Sequence, residues 1–351
     1  MTGPDPRLTF DELRRLLADL PKFDKEAAAA TRRRDLTLTK PPGALGRLEE
    51  IAVFIAGWQG RHPPRIERPL AAVFAGNHGV VEQGVTAYPQ AVTAQMVANF
   101  RAGGAAINQL CTTFGVGLKV YELALDLPTR DFTRDAALDE PECVGTAIFG
   151  MEAIAGGTDL LCLGEMGIGN TTVAAVVSCA LFGGDPSDWV GPGTGVDALG
   201  LARKAEAVRR GLALHRDHLG DPLEVLRRLG GRELAAMAGA ILAARIARIP
   251  VILDGYVVTA AAAVLEVLQP GALDHCLAGH CSAEPAHRRL LAKLDKTPLL
   301  DLGMRLGEGS GAVLAYATVK AALDLHNGMA SFAEAGVSGR NDGAGPDQLM
   351  P

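Results

Sequence analysis

One glutamate stands apart in this chain. Glu308, in "MRLGEGSGAVLAYATVK" (residues 304–320), lies between two glycines just ahead of an apolar helical stretch, and most of its neighbours are too small or too apolar to pair with it. Two readings are open. As an acid at a helix start it gains about 0.3–1 kcal/mol from the helix dipole. As a carboxylate desolvated by Leu306 and Ala312, beside glycines that let a ligand come close, it becomes a proton acceptor near neutral pH.

Two glycine-rich turns offer a different chemistry. "LLCLGEMGIGNTTVAAVV" (160–177) reads as strand, turn and helix, with Glu165 at the strand end and Gly167, Gly169 and Asn170 in the turn. Such a turn points backbone N–H groups at an anion where the helix dipole favours one. It is neither a Walker loop, since no lysine precedes Thr171, nor a GxGxxG match. "VGPGTGVDALGLARKAEAV" (190–208) repeats the pattern with Gly191, Gly193, Thr194 and Gly195. One such turn is equally well explained by helix capping through Asn170 or Thr171; two favour a phosphate cradle. Lys204, two turns into the second helix, either adds a positive charge there or lies in solvent.

The segment "FAGNHGVVEQGVTAYPQAVTAQMV" (74–97) is long, polar and loop-like directly after a strand, which is where function usually sits. Thr86, Tyr88 and Gln90 are candidates to frame a flat aromatic ligand; a purely structural Ω-loop is the alternative. "DHCLAGHCSAEPAHRRLL" (274–291) brings Cys276, His280, Cys281 and His287 together, but their spacing fits neither paired CxxC nor HExxH zinc sites, so no metal is expected.

These residues need elements to carry them. Short apolar runs end at Gly76, Gly164, Gly255, Gly279 and Gly303, a further run covers 117–125, and helical stretches at 170–182, 198–219, 232–247 and 256–268 fall between them. Strand and helix in alternation, with strands apolar throughout, predict an α/β fold with a mostly parallel sheet covered on both faces. In such sheets the ligand sits beyond the carboxyl ends of the strands. Asn77, His78, Glu165, Asp254, Tyr256, His280 and Glu308 all fall on that rim, and Asp254 and Ser282 join the candidates for binding substrate.

Helical patterns within residues 1–60, together with the last long helix, predict a small helical domain of residues 1–60 and 309–336 beside a large domain of 61–308. The Gly/Pro-rich end, 337–351, is expected to be disordered.

Composition agrees. Of 351 residues 48% are hydrophobic, only 5% aromatic, and 42 are glycine, which suits an α/β enzyme with tight turns. A net charge of −6 with no basic stripe argues against nucleic acid as a partner. The start lacks the order of a signal peptide, and no apolar run is long enough to span a membrane. Six scattered cysteines read as buried free thiols in a reducing compartment, so a cytoplasmic protein is expected.

Taken in order, "TKPPGALGRLEEIA", "AGNHGVVEQGVTAYPQAVTAQMV", "GEMGIGNTT", "VGPGTGVD", "DGYVVTAAA", "SAEPAHRRLL" and "PLLDLGMRLGEGSGA" resemble the nicotinate-nucleotide–dimethylbenzimidazole phosphoribosyltransferase family of the cobalamin pathway, from about Thr39 to Gly336. The resemblance implies transfer of a 5-phosphoribosyl group from nicotinate mononucleotide to 5,6-dimethylbenzimidazole, giving α-ribazole 5′-phosphate and nicotinate. It also implies a homodimer whose large domain is Rossmann-like. It makes Glu308 the general base, puts Glu165 at the reacting centre, and maps a functional lysine onto Lys204. It departs at Asn77, where the family pattern has aspartate. Because nicotinate leaves as a neutral ring and no pyrophosphate departs, the reaction asks for neither a general acid nor a cofactor, and positioning plus one base suffice. A nucleosidase, with water as acceptor, and a non-catalytic nucleotide-binding protein are the rival readings.

Overall fold

Apolar runs that stop at glycine build the sheet. The computed structural model describes residues 9–338. Its strands are β1 (Pro69–Ala75), β2 (Gly117–Glu122), β3 (Leu160–Met166), β4 (Val251–Leu253) and β5 (Cys276–Ala278), all paired in parallel in the order β2-β1-β3-β4-β5. Every residue of β1 and β4, and all but the last of β3, is buried, as strands covered by helices on both faces must be. Edge strand β2 instead alternates between exposed and half-buried positions along most of its length. Helices at Asn170–Phe182, Arg232–Ile246 and Tyr256–Leu268 follow the expected segments, and the one begun at Ala198 ends at His215.

The run ending at Gly303 does not become a strand. Leu300 makes one isolated parallel bridge with His280, and Leu302 is largely exposed. With no further strand to cover it, this segment stays at the sheet edge and is free to bend into the loop that carries Glu308.

By contacts between Cα atoms the described chain divides into two units, residues 9–22 with 66–318, and residues 23–65 with 319–338. The first helix, Phe10–Ala18, therefore falls in the larger unit and not, as the sequence suggests, with the small one. Its apolar face, Phe10, Leu13 and Leu17, is buried in the core around the sheet, and the Phe10 N–H donates to Glu140 at 2.8 Å. In the smaller unit the helices Lys25–Asp35 and Arg47–Gln59 pack together, and Arg34 donates to the carbonyls of His326 and Met329. The boundary falls at Thr318, inside the helix Ser310–Gly328. Of the tail expected to be disordered, residues from 339 onward lie outside the described residues.

Candidate active site

Glu308 sits in a loop of unusual backbone. Gly303, Gly307, Glu308 and Gly309 have φ of 69°, 83°, 65° and 81°. Three are glycines, for which this region costs nothing; for Glu308 it costs about 1–2 kcal/mol. The strain is held by close contact with β3. The Glu308 N–H donates to the Glu165 carbonyl at 3.2 Å, and a Cβ on Gly164 would lie 2.3 Å from the Gly309 nitrogen. Gly307 in turn makes room for the Glu165 carboxylate, whose Oε1 would be 2.6 Å from a Cβ there. Glu308 is buried, and that burial, followed by the negative charge of Asp254, pushes its pKa up to about 7.

Glu165 is more strongly perturbed. Burial first, then the charges of Asp254 and Glu233, raise it to about 8, against the opposing hydrogen bond from the Asn170 amide. Glu233, which the sequence reading did not single out, is fully buried with Oε1 2.6 Å from Nε2 of buried His78. Gly76, Gly167 and Gly231 clear the space: a Cβ on any of them would come within 2.5, 3.2 and 2.9 Å of the Glu233 carboxylate. The only hint in the sequence is an acid next to paired glycines at the start of a helix that is apolar all round.

The second glycine turn lies opposite. Lys204 is buried, which excludes the solvent reading: its ammonium donates to Thr171 Oγ1 at 2.9 Å and to the Gly191 carbonyl at 2.8 Å. Burial lowers it to about 8, with Glu284 acting the other way. Gly193 donates its N–H to Glu284 Oε1 at 2.7 Å and accepts from Arg305 at 2.6 Å. Neither Glu284 nor Arg305 was among the residues picked from sequence.

Between these two halves runs a cleft lined by Glu165, Gly167, Asn170, Thr171, Gly193, Thr194, Tyr256, His280, Ser282, Glu284, Arg305 and Leu306. Glu308 adjoins it through Gly307. Gly169, Gly191 and Gly195 shape the turns without lining the cleft; a side chain on Gly169 would strike Val81. Asp254 does not line it either: it lies beneath the Glu308 loop with both carboxylate oxygens accepting backbone N–H groups.

The loop after β1 contributes less directly. Thr86 Oγ1 accepts from the Tyr88 N–H, Tyr88 is half exposed, and Gln90 donates to the His78 carbonyl at 3.0 Å, so none of the three is among the lining residues. Asn77 uses its amide to donate to the Leu125 carbonyl at 2.9 Å, a bond that an ionised aspartate would not make.

The cysteine–histidine cluster is engaged internally. His287 accepts the Ser282 N–H at 2.8 Å through Nδ1 and meets Thr259 Oγ1 at 2.9 Å through Nε2, and burial, with help from His280 and Arg288, lowers it to about 3. Among the described residues no group of three or more His, Cys, Asp or Glu side chains is arranged to hold a metal ion.

The cleft thus pairs a crowded acidic side, where burial raises the carboxylates, with a side built of glycine amides, buried Lys204 and exposed Arg305. One accepts a proton; the other suits an anion. A family model described as phosphoribosyltransferase matches residues 20–337. A nicotinate-nucleotide–dimethylbenzimidazole phosphoribosyltransferase of Rhizobium etli (strain CIAT 652) is 66% identical over 95% of this chain and 98% of its own length. One of the same name from Rhizobium meliloti (strain 1021) is 65% identical with the same coverage. The crystal structure of the enzyme of that name from Thermus thermophilus superposes with a TM-score of 0.83 at 44% identity, covering 90% of this chain and 100% of the other.

Proposed function

Because the chain belongs to the nicotinate-nucleotide–dimethylbenzimidazole phosphoribosyltransferase family, we propose how its cleft carries out that family's reaction. The protein transfers the 5-phosphoribosyl group of nicotinate mononucleotide to 5,6-dimethylbenzimidazole in cobalamin biosynthesis. In our reading Glu308 accepts the N–H proton of the benzimidazole while the other ring nitrogen attacks C1′. The C1′–N bond to the pyridinium breaks, its electron pair returns to nicotinate, and C1′ inverts. The carrying observation is a buried carboxylate poised to about 7, so that a useful fraction is ionised at neutral pH and still basic enough to take the proton.

Glu165 faces the charge of the substrate. Raised to about 8, it is mainly protonated at neutral pH, and a pyridinium nucleotide beside it favours its ionised form. The cation on the substrate and the oxocarbenium character that builds up on C1′ as nicotinate leaves are then both met by a negative charge that is costly in the empty cleft. Lys204, Arg305 and the 191–195 turn are positioned for the 5′-phosphate. Glu284 shares the Gly193 amide, so it must turn aside or take a proton as phosphate arrives; burial, which raises its pKa, favours the proton. Ser282, Thr194, Gly167 and Asn170, as cleft-lining groups, frame the ribose and bases. Thr86, Tyr88 and Gln90 act from the neighbouring loop.

The family resemblance supports a homodimer, which sedimentation would test. Six buried free thiols support a reducing, cytoplasmic setting, and no helix among the described residues is long and apolar enough to cross a membrane.

The deciding experiment is incubation with nicotinate mononucleotide, with and without dimethylbenzimidazole, alongside Glu308→Gln. Acceptor-dependent α-ribazole phosphate, nearly lost in the variant, is the expected result. Nicotinate release at an equal rate without acceptor would identify a nucleosidase. An undiminished variant would remove Glu308 as the base and leave Glu165 as the next candidate.

A further inference from the structure

The first-turn amides of a helix have no partners within it and need an acceptor from outside. Ahead of the helix Ser310–Gly328 the preceding residue is Gly309, which has no side chain to serve. The acceptor comes instead from β4's end. Asp254 Oδ2 accepts the Gly309 N–H at 3.1 Å and Oδ1 accepts the Ala312 N–H at 2.9 Å, across separations of 55 and 58 residues. The carboxylate is almost fully buried and both its oxygens are engaged, so it is not free to bind substrate.

The two peptide groups that flank the Glu308 Cα are therefore both fixed. Its own N–H is held by the Glu165 carbonyl, and the next N–H, that of Gly309, by Asp254. Those two bonds define the backbone torsions of Glu308, the one non-glycine of the loop with φ in the left-handed region. We infer that Asp254 is a positioning residue for this reaction, holding Glu308 in its left-handed conformation from a neighbouring strand without touching substrate. The inference rests on reading Glu308 as the base.

The groups facing Asp254 give its charge a second effect. Glu165 and Cys162 lie on β3, His280 Nε2 approaches to 3.6 Å from beyond β5, Glu308 comes from the loop, and the positive end of the helix lies directly above. No lysine or arginine is among them. With no lysine or arginine beside it, the carboxylate raises the Glu308 pKa, so removing its charge lowers that value.

The test is Asp254→Asn, which keeps size but turns an N–H donor toward the Gly309 or Ala312 amide. We expect kcat to fall about 10²-fold, the scale for a base displaced by about 1 Å. KM for nicotinate mononucleotide stays as in the parent, and the acid limb of the rate profile moves to lower pH. A purely structural role would reduce the amount of folded protein while leaving kcat per folded molecule at the parent value. Should the variant not fold, Asp254→Ser, whose hydroxyl oxygen can still accept one of the two amides, is read in the same way.

Parent-like kcat per folded molecule in Asp254→Asn or Asp254→Ser would overturn the inference. Loss of activity in Glu308→Gln keeps the base assignment separate: if that variant is undiminished, it is the underlying mechanism that fails.

Discussion

Two groups of buried acids differ in one respect, the presence of a cation. In the smaller unit Lys40 lies between Asp35, at 2.9 Å, and Glu49, at 2.7 Å, all three side chains largely buried. Although burial opposes it, the two carboxylates hold Lys40 above the ordinary lysine value. Glu49 likewise stays below its ordinary value despite burial, helped by Lys40 and by the Leu45 N–H. In the larger unit the charge of Asp254 acts on both Glu165 and Glu308, and His280 is the one nearby side chain that favours a negative charge on Asp254. In the first cluster the shared lysine holds Glu49 down while burial and Glu49 leave Asp35 raised, and the group ties the 40–46 turn to its helices. The second is left with protons it would lose in water. Burial alone does not mark a reactive acid; burial without a counter-charge does.

That contrast is open to direct attack. The largest effect is expected from Glu308→Gln, which should lower turnover by about 10²–10⁴-fold, the usual worth of a general base, with little change in KM for the nucleotide. Asp35→Asn should leave turnover unchanged; a comparable loss there, in the same product assay, would end the distinction. Next, Lys40→Met should destabilise the protein by about 3–5 kcal/mol in denaturant titration, because it strands two buried carboxylates. Replacing all three residues by apolar ones of similar volume should recover most of that loss.

The remaining two concern protons. The profile of kcat/KM should rise with pH through about 7 as Glu308 ionises, and a limb near the ordinary carboxylate value would show the base to be solvated. The smallest effect is on stability. Glu165 and Glu308 are raised above 4.5 in the folded chain, so between pH 4.5 and about 8 these two groups hold more protons in the folded state than in the unfolded one, and their own contribution to stability falls as pH rises. Glu165→Gln should flatten that fall and be more stable than the parent by about 1 kcal/mol at pH 8, with the gap closing towards pH 5. Denaturation midpoints at the two pH values would show it, and no closing gap would mean that Glu165 is already ionised.

Much of this was legible beforehand for a simple reason. Runs ending at Gly76, Gly164, Gly255 and Gly279 announce strands because a parallel strand is apolar at every position and must turn sharply at its end. Glu165 and Glu308 were legible because an acid among glycines at a strand end has few structural explanations. Asp254 was found but its task was not, since no local spacing shows that it would meet amides 55 and 58 residues on. Glu233 escaped because the helix it begins is apolar on every side and gives no polar face to break. For Lys204 the sequence leaves two environments open for the opposite reason: its helix has a mixed surface, and only the fold decides which lysines face inward. The run to Gly303 misled because apolar composition does not tell a sixth strand from a segment that meets the sheet edge at a single bridge.

The backbone contact of Gly164 with Gly309 has a consequence for anyone who would redesign this enzyme. Strand 160–166 and loop 303–309 touch without an intervening side chain, so there is no residue to trim or enlarge between the two acids. Their spacing is set like that of two teeth on one gear, by the chain itself. On the proposed reading, new acceptor rings would be accommodated by recutting the walls of the cleft, and a graft from a relative must carry strand and loop together as a single module.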